Sequence, residues 1–523
     1  MSSRAYDFAL AIASGVLLAL SFPKFGHPAF AWISLAPLLV ALSSRGGLMR
    51  AFVLGLTTGI VYFAGTLYWI TRVMTVYGGL QGWVAVLVNA TLIAYLALFP
   101  AIFAILMRRL VLSLGPPALM AAPLVWVTTE LGRTHLFTGF PWVLLGYSQV
   151  TMLPIAQLAS VFGVYGVSAL VASVGAAAAL VAGGTGPAEA GRHLLGGRHG
   201  PAKAGHYVPI AVASVAAAVV LVAAWGSWRV ARAELTVTGE AIHVGLVQGN
   251  VDQGEKWDPA HAAAIFQEYL DMTRQAVDKG AQFVVWPESS TPFYFEEDRA
   301  GADRLRSLVR QARVPMLVGS DQIERGGTDK YYNAAFLVRA DGATAGVYRK
   351  MHLVPFGEYV PLRQLFFFAA RLVEAVSDFS PGERAALLPV NGHLISTMIC
   401  YEVVYPDLVR RFVGAGSELL TTITNDAWFG RTSAPYQHFA QAAMRAIEEG
   451  RYLVRSANTG VSGIVDPYGR VLAQSDIFQP AVIVGRARFL TGLTVYARSG
   501  DVFAYASVVL TLAMLILARR RVQ

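Results

Sequence analysis

LISTMICYEVVYP, residues 394–406, decides the reading of this chain. Leu394, Ile395, Met398 and Ile399 make a short apolar strand, and Pro406 marks a helix start, where a missing N–H costs nothing. Cys400 sits at the turn between them. Unpaired backbone N–H groups and the positive end of a helix dipole at such a turn favour thiolate over thiol. Cys400 is the single cysteine of 523 residues, which excludes an intramolecular disulfide. An inert buried cysteine is the plain alternative. The decision therefore rests on what the rest of the chain brings to Cys400.

Around this stretch, residues 241–488 read as alternating α/β. IHVGLVQGN is a strand, 259–279 a helix stopped by Gly280, AQFVVWPES an apolar strand ending in acid, 302–312 a helix, and VPMLVGS a strand. Asp341-Gly342, Asn391-Gly392 and the turn Asp466 to Gly469 mark hairpins. ELLTTIT is a strand into Asn425-Asp426, followed by a helix over 436–450. Buried strands alternating with amphipathic helices predict a mixed sheet covered by helices.

The flanks are different in kind. The chain is 55% hydrophobic and only 14% charged, too apolar for an ordinary soluble enzyme. Seven apolar stretches, near 8–22, 30–42, 51–73, 83–107, 118–131, 153–181 and 208–228, precede the α/β part, and an eighth, 502–518, follows it. The second and fifth are short for a hydrocarbon core about 30 Å thick. The first is expected to be retained rather than cleaved as a signal peptide. Arg4, Arg45, Arg50, Arg108, Arg109, Arg192, Arg198, Lys203 and Arg519 to Arg521 fall in one set of connections. Lys24, Arg72 and Arg133 alone fall in the other short ones. The positive-inside rule then places both termini in the cytoplasm and the large domain outside it. It also explains the net charge of +9 better than nucleic acid does. The predicted organisation is a seven-span membrane domain over 1–232, a catalytic domain over 235–490, and an eighth span with a basic tail over 500–523. A Gly-, Ala- and His-rich insert, 183–206, reads as a flexible cytoplasmic loop.

Glu288 in WPES, Lys350 in YRK and Cys400 in MICYE end strands or follow them closely. Reactive groups of α/β sheets gather at the carboxyl ends of strands, so the three can meet. Together they suit acyl transfer: a thiolate attacks a carbonyl, a carboxylate moves the protons, and an ammonium stabilises the oxyanion while lowering the thiol pKa. No Gly-rich phosphate loop or zinc-spaced Cys/His set is present, so neither cofactor nor metal is expected.

GLVQGN, VVWPES, YYNAAF, YRKMHLVPFGEYVP, ICYEVVYP and TNDAWFG, in this order and at these spacings, resemble the carbon–nitrogen hydrolase (nitrilase) superfamily. With VPFGEYVP and the eight flanking spans, the chain resembles the bacterial apolipoprotein N-acyltransferase family over its whole length. The resemblance implies an αββα sandwich on the periplasmic face of an eight-helix part of the inner membrane. It implies transfer of an acyl chain from a phospholipid to the terminal amine of a diacylated apolipoprotein. Phosphatidylethanolamine is the expected donor, and a monomer is expected because nothing in the sequence demands a partner subunit. Matched motif by motif, Glu288 resembles the general base, Lys350 the oxyanion lysine, Cys400 the nucleophile and Glu358 a second essential glutamate. Tyr401, whose N–H is then an oxyanion donor, and Glu402 match active-site neighbours. Trp257 resembles a substrate-contacting tryptophan, and Asn333 and Trp428 fall on motif positions. For Trp257 and Trp428, core packing or anchoring at the membrane interface is an equal alternative; for Asn333, satisfying backbone groups competes with substrate contact.

Phe366, Phe367 and Phe368, in LRQLFFFAARLV, fit neither helical nor strand periodicity and suit an apolar lid guiding acyl chains, with a plain core segment as the alternative. Two other functions use the same features. A membrane-tethered amidase would employ the same triad with water as second nucleophile. A transporter or scaffold would instead need intramembrane ionisable groups, for which Glu130 is the strong candidate.

Overall fold

The computed structural model of the chain describes residues 3–44, 46–184, 201–256, 258–355, 357–359 and 379–520. Trp257, Phe366, Phe367, Phe368 and most of the 183–206 insert lie outside the described residues. The chain divides into two compact units: Met1–Thr71, Trp83–Arg232 and Ser499–Gln523 form one, and Arg72–Gly82 with Ala233–Arg498 the other.

The first unit is helical. Among the described residues, five helices, Leu48–Leu67, Gly82–Leu114, Ala159–Gly183, Tyr207–Thr236 and Val502–Arg520, are long and apolar enough to cross a membrane. The expected spans near 8–22, 30–42 and 118–131 form the shorter helices Ser3–Ala19, Pro28–Ser43 and Ala122–His135. The stretch near 51–73 is interrupted at Tyr68, where Leu48–Leu67 ends before a separate helix, Trp69–Val76. Gly55 and Gly59, one turn apart, let two helix backbones touch. A Cβ on Gly55 would stand 2.4 Å from the Pro100 carbonyl oxygen, and one on Gly59 2.7 Å from Ala97 Cα. Close approach at small residues is how helices associate where no hydrophobic effect drives them together.

Glu130 serves this scaffold. The Leu145 N–H donates to its Oε1 at 2.6 Å. One turn on, Arg133 donates through Nη1 to the Trp142 carbonyl at 2.6 Å. Both side chains thus satisfy irregular backbone that apolar surroundings would otherwise leave unpaired.

The second unit contains two six-stranded sheets, each mixed as the alternation predicted. The first comprises β1 (Ala241–Gln248), β2 (Phe283–Val285), β3 (Met316–Glu324), β4 (Lys330–Val338) and β5 (Thr344–Arg349). The second comprises β6 (Leu388–Val390), β7 (His393–Ile399), β8 (Leu419–Thr424), β9 (Leu453–Ala457), β10 (Gly463–Val465) and β11 (Val471–Gln474). The last strand, β12 (Ala481–Arg488), returns to the first sheet, giving orders β12-β1-β2-β3-β4-β5 and β11-β10-β9-β8-β7-β6. In each the three central strands of the α/β part, β1-β2-β3 and β7-β8-β9, are parallel, and the edges antiparallel.

The sheets face each other through β1 with β9 and β4 with β7. Ser456 Oγ crosses between them to the Val247 carbonyl at 2.8 Å. Helix Pro259–Asp278, capped by Asp258, covers the outer face of the first sheet with Arg299–Ala312 beside it. Pro406–Gly414 and Ala434–Glu449 cover the second. This is the αββα sandwich. Every residue of β2, β8 and β9 is buried, as strands covered on both faces must be. The apolar AQFVVWPES run yields only three strand residues, because Trp286-Pro287 turns the chain out of the sheet toward Glu288. Trp286 itself is core, with Nε1–H donating to Thr273 Oγ1 at 2.8 Å.

Candidate active site

The carboxyl ends of β2, β5, β7 and β8 converge. Lys350 follows β5 directly, Cys400 follows β7, Asn425 follows β8, and Glu288 comes just beyond β2. Lys350 Nζ lies 2.8 Å from Glu358 Oε1 and 3.4 Å from Glu288 Oε1. Asn333, on β4, donates its amide N–H groups to Glu288 Oε1 at 2.6 Å and Glu358 Oε1 at 3.0 Å. Its side-chain amide therefore holds two carboxylates together, where the sequence reading set backbone groups against substrate as its partners. The second oxygen of Glu288 accepts the Asn425 N–H at 2.8 Å, joining the two sheets at the site. The second oxygen of Glu358 accepts the Val354 N–H at 2.8 Å. Lys350, Glu288, Glu358 and Cys400 are all buried.

Cys400 occupies the left-handed region at φ +53°, rare for a side chain bearing a Cβ. It opens a 3₁₀ turn, Cys400–Val404, that separates β7 from helix Pro406–Gly414. Glu402, fully buried in that turn, makes the strained geometry tenable. Its Oε2 accepts the Ile399 N–H at 2.8 Å. Its Oε1 accepts the Tyr348 hydroxyl at 2.7 Å, the Met351 N–H at 2.7 Å and the His352 N–H at 3.0 Å. One carboxylate thus ties the Cys400 turn to both sides of Lys350. Glu402 is a neighbour that positions. Tyr401 is buried among Tyr405, at 5.2 Å between ring centroids, and His352, at 6.0 Å.

The electrostatics correct one expectation. Burial pushes the Cys400 thiol well above its ordinary pKa, and the Glu288 charge adds to this; Lys350 opposes both, as expected, but does not prevail. The resting group is a thiol that needs a base. Burial works against the Lys350 ammonium, yet Glu358 and Glu288 outweigh it and hold its pKa above the ordinary lysine value. His352 is pushed down to about 4 by burial and the Lys350 charge, so it is neutral near pH 7. Burial raises Glu402 to about 7 against the hydrogen bonds from Ile399, His352 and Tyr348 and the Lys350 charge.

Several residues that the sequence reading passed over complete the surroundings. Below Cys400, His438 Nε2 lies 3.1 Å from the Cys400 carbonyl oxygen and His438 Nδ1 3.0 Å from Asp426 Oδ1. Arg455 Nη2 reaches Asp426 Oδ2 at 3.0 Å and His438 Nδ1 at 2.9 Å. Asn458 donates to Asn425 Oδ1 at 3.0 Å and to the Val251 carbonyl at 2.8 Å. Lys256 is buried, with Nζ 3.4 Å from the Glu288 carbonyl. Half-buried Trp428 meets Tyr77 edge-on, 5.0 Å between ring centroids. The Tyr77 hydroxyl donates to the Ala427 carbonyl at 3.0 Å. An arginine in the middle of the apolar run LVRSA was the available signal for the Arg455 network. Nothing in the sequence links Tyr77 to Ala427.

Residues 14–177 match the family described as apolipoprotein N-acyltransferase N-terminal domain, and residues 243–488 match carbon-nitrogen hydrolase. An apolipoprotein N-acyltransferase of Geobacter metallireducens is 42% identical over 517 residues, covering 98% of this chain and 96% of its own. One of Methylococcus capsulatus is 37% identical over 497 residues, covering 94% and 92%. Among solved structures, an amidase of the nitrilase superfamily from Nesterenkonia AN1 aligns at a TM-score of 0.40 and 21% identity, covering 52% of this chain and 98% of the amidase.

Proposed function

The chain belongs to the apolipoprotein N-acyltransferase family and is an enzyme of lipoprotein N-acylation, and on that premise we propose that Cys400 carries the acyl group between a phospholipid and the terminal amine of a diacylated lipoprotein. The observation that carries this reading is the junction of Glu288 and Lys350, at strand ends, with Glu358, beside the chain's single cysteine. Glu288 takes the thiol proton as Sγ attacks the donor ester. The Sγ–C bond forms, and the carbonyl electron pair moves onto oxygen, facing the Lys350 ammonium and the Tyr401 N–H. Collapse breaks the ester C–O bond, and Glu288 returns its proton to the departing lysophospholipid alkoxide.

The acceptor arrives as an ammonium and loses one proton to solvent. Its amine attacks the thioester, the N–C bond forms, the C–S bond breaks, and Glu288 passes the second proton to Sγ. Lys350, held cationic by two carboxylates, has no lone pair for this work. Glu358 and Asn333 hold Lys350 and Glu288 in place, and Glu402 holds the nucleophile's turn. Trp428 is the substrate-side aromatic that the described residues leave half-buried.

In the same reading, eight spans anchor the chain in the inner membrane as a monomer, with the α/β domain in the periplasm and phosphatidylethanolamine as donor. A small-amide hydrolase is not favoured, and Glu130, the residue a transporter would need, is engaged with the Leu145 N–H. The test is mass spectrometry of the purified protein after incubation with phosphatidylethanolamine. A fatty acyl mass is expected on the peptide containing Cys400, and none in Cys400→Ala, which stays folded. Acyl transfer surviving in Cys400→Ala would end the proposal.

A further inference from the structure

Cys400 reaches its left-handed conformation with its carbonyl turned inward, and a fully buried histidine meets it there. The carbonyl oxygen can only accept, so His438 Nε2, at 3.1 Å, carries a hydrogen and donates it. On the other side of the ring, Nδ1 faces Arg455 Nη2 at 2.9 Å, which can only donate. Asp426 Oδ1, which accepts the Thr424 hydroxyl at 2.9 Å, also lies 3.0 Å from Nδ1, and Oδ2 pairs with Arg455 at 3.0 Å. Whichever of these Nδ1 meets, the contact with the carbonyl requires a hydrogen on Nε2. Burial and the Arg455 charge outweigh Asp426 and disfavour the imidazolium, which leaves the tautomer protonated on Nε2.

A trans peptide is planar, so the carbonyl of one residue and the N–H of the next point in opposite directions. Cys400 C=O and Tyr401 N–H belong to one such plane. Whatever grips the carbonyl therefore aims the Tyr401 N–H to the opposite side of the peptide. We propose that His438 is a positioning residue for acyl transfer, clamping the Cys400–Tyr401 peptide so that its N–H meets the forming oxyanion. Without the clamp this strained peptide can rotate, and a carbonyl dipole then replaces the donor and repels the oxyanion. Arg455, held by Asp426, acts one step further back, donating to Nδ1 and so favouring the tautomer that clamps.

The inference rests on the proposed role of Cys400 as acyl carrier, and the experiment separates the two. Three variants are compared with the parent: His438→Gln, whose amide reaches as far as Nε2, His438→Asn, which reaches only as far as Nδ1, and His438→Leu. Two rates are measured on each: acyl-Cys400 formation from phosphatidylethanolamine in detergent micelles, and alkylation by iodoacetamide. Cys400 is the chain's single cysteine, so both report on one sulfur. Alkylation is a displacement at saturated carbon and forms no oxyanion. Removing one oxyanion donor costs about a hundredfold to a thousandfold. Leu and Asn should lose that much in acylation while alkylation stays within about threefold of the parent, and Gln should recover at least about tenfold over Asn. Parental acylation in Leu and Asn, an equal fall in both rates, or identical rates in Gln and Asn would each overturn the clamp. If His438→Leu does not fold, the Gln and Asn pair decides alone. A parent enzyme that takes up no acyl mass would instead remove the acyl-carrier reading itself.

Discussion

Glu288 is fixed by both of its oxygens, one to Asn333 and the other to the Asn425 N–H. Its carboxylate is therefore preorganised for proton transfer, and Glu288→Gln keeps its shape while removing the basic lone pair. Loading of Cys400 from phospholipid should fall by at least about a hundredfold, the ordinary worth of a positioned base. Discharge of a preformed acyl-enzyme to a lipopeptide amine should slow as well, followed by single-turnover mass spectrometry. Normal discharge with loading lost would move the second-step base to Glu358. Glu402 makes a different prediction. Its two oxygens accept from four donors. Glu402→Gln turns one acceptor into a donor facing an N–H or a hydroxyl, and a buried unsatisfied group costs about 1–3 kcal/mol. Both the unfolding temperature and the acylation rate should drop.

At the scale of elements, strands are held in register by contacts that respond to pH. His393, first residue of β7, has Nδ1 2.7 Å from Glu418 Oε2 and Nε2 3.1 Å from Glu240 Oε2, and its ring stacks on Phe489 at 4.0 Å. Partial burial works against its charge, but the Glu418 and Glu240 carboxylates prevail and raise its pKa above 6.5. A raised folded-state pKa means stability that is fully present below about 6.5 and lost as pH climbs through the folded value. His393→Gln should therefore lower the melting temperature more at pH 5.5 than at pH 9; an equal shift at both would remove the ion pairs from the account.

The strands themselves were largely legible. Hairpin dipeptides fixed Asn391-Gly392, where both residues take positive φ, +51° and +89°. The division into two sheets was not legible in alternation, because a period of two gives a strand's faces and not its neighbours. β9 was hidden because Arg455 and Ser456 break its apolar run, and they do so because they are committed to Asp426 and to the Val247 carbonyl. The candidate trio of Glu288, Lys350 and Cys400 could be picked out because each member ends or closely follows a strand. The clamp under Cys400 was not, since an interior histidine in a helix looks like any other core residue until its partners are seen.

For the whole molecule, the charge asymmetry of the connections gives a direct test of orientation. A reporter fused after Arg488 should behave as periplasmic and one inserted within 183–206 as cytoplasmic, read by alkaline phosphatase and fluorescent-protein activity. The reverse pattern would show that the span count is off by one. The membership of Arg72–Gly82 in the α/β unit bears on how this protein can be taken apart. Tyr77 is bonded to Ala427 and packed on Trp428, two residues beyond the Asn425 N–H that holds Glu288. The catalytic unit is thus discontinuous in sequence. A gene fragment beginning at Ala233 encodes all three reactive side chains and still omits a piece of their support, supplied from between two apolar helices. Cut out for solubility, it would keep both sheets and lose the segment that packs on Trp428.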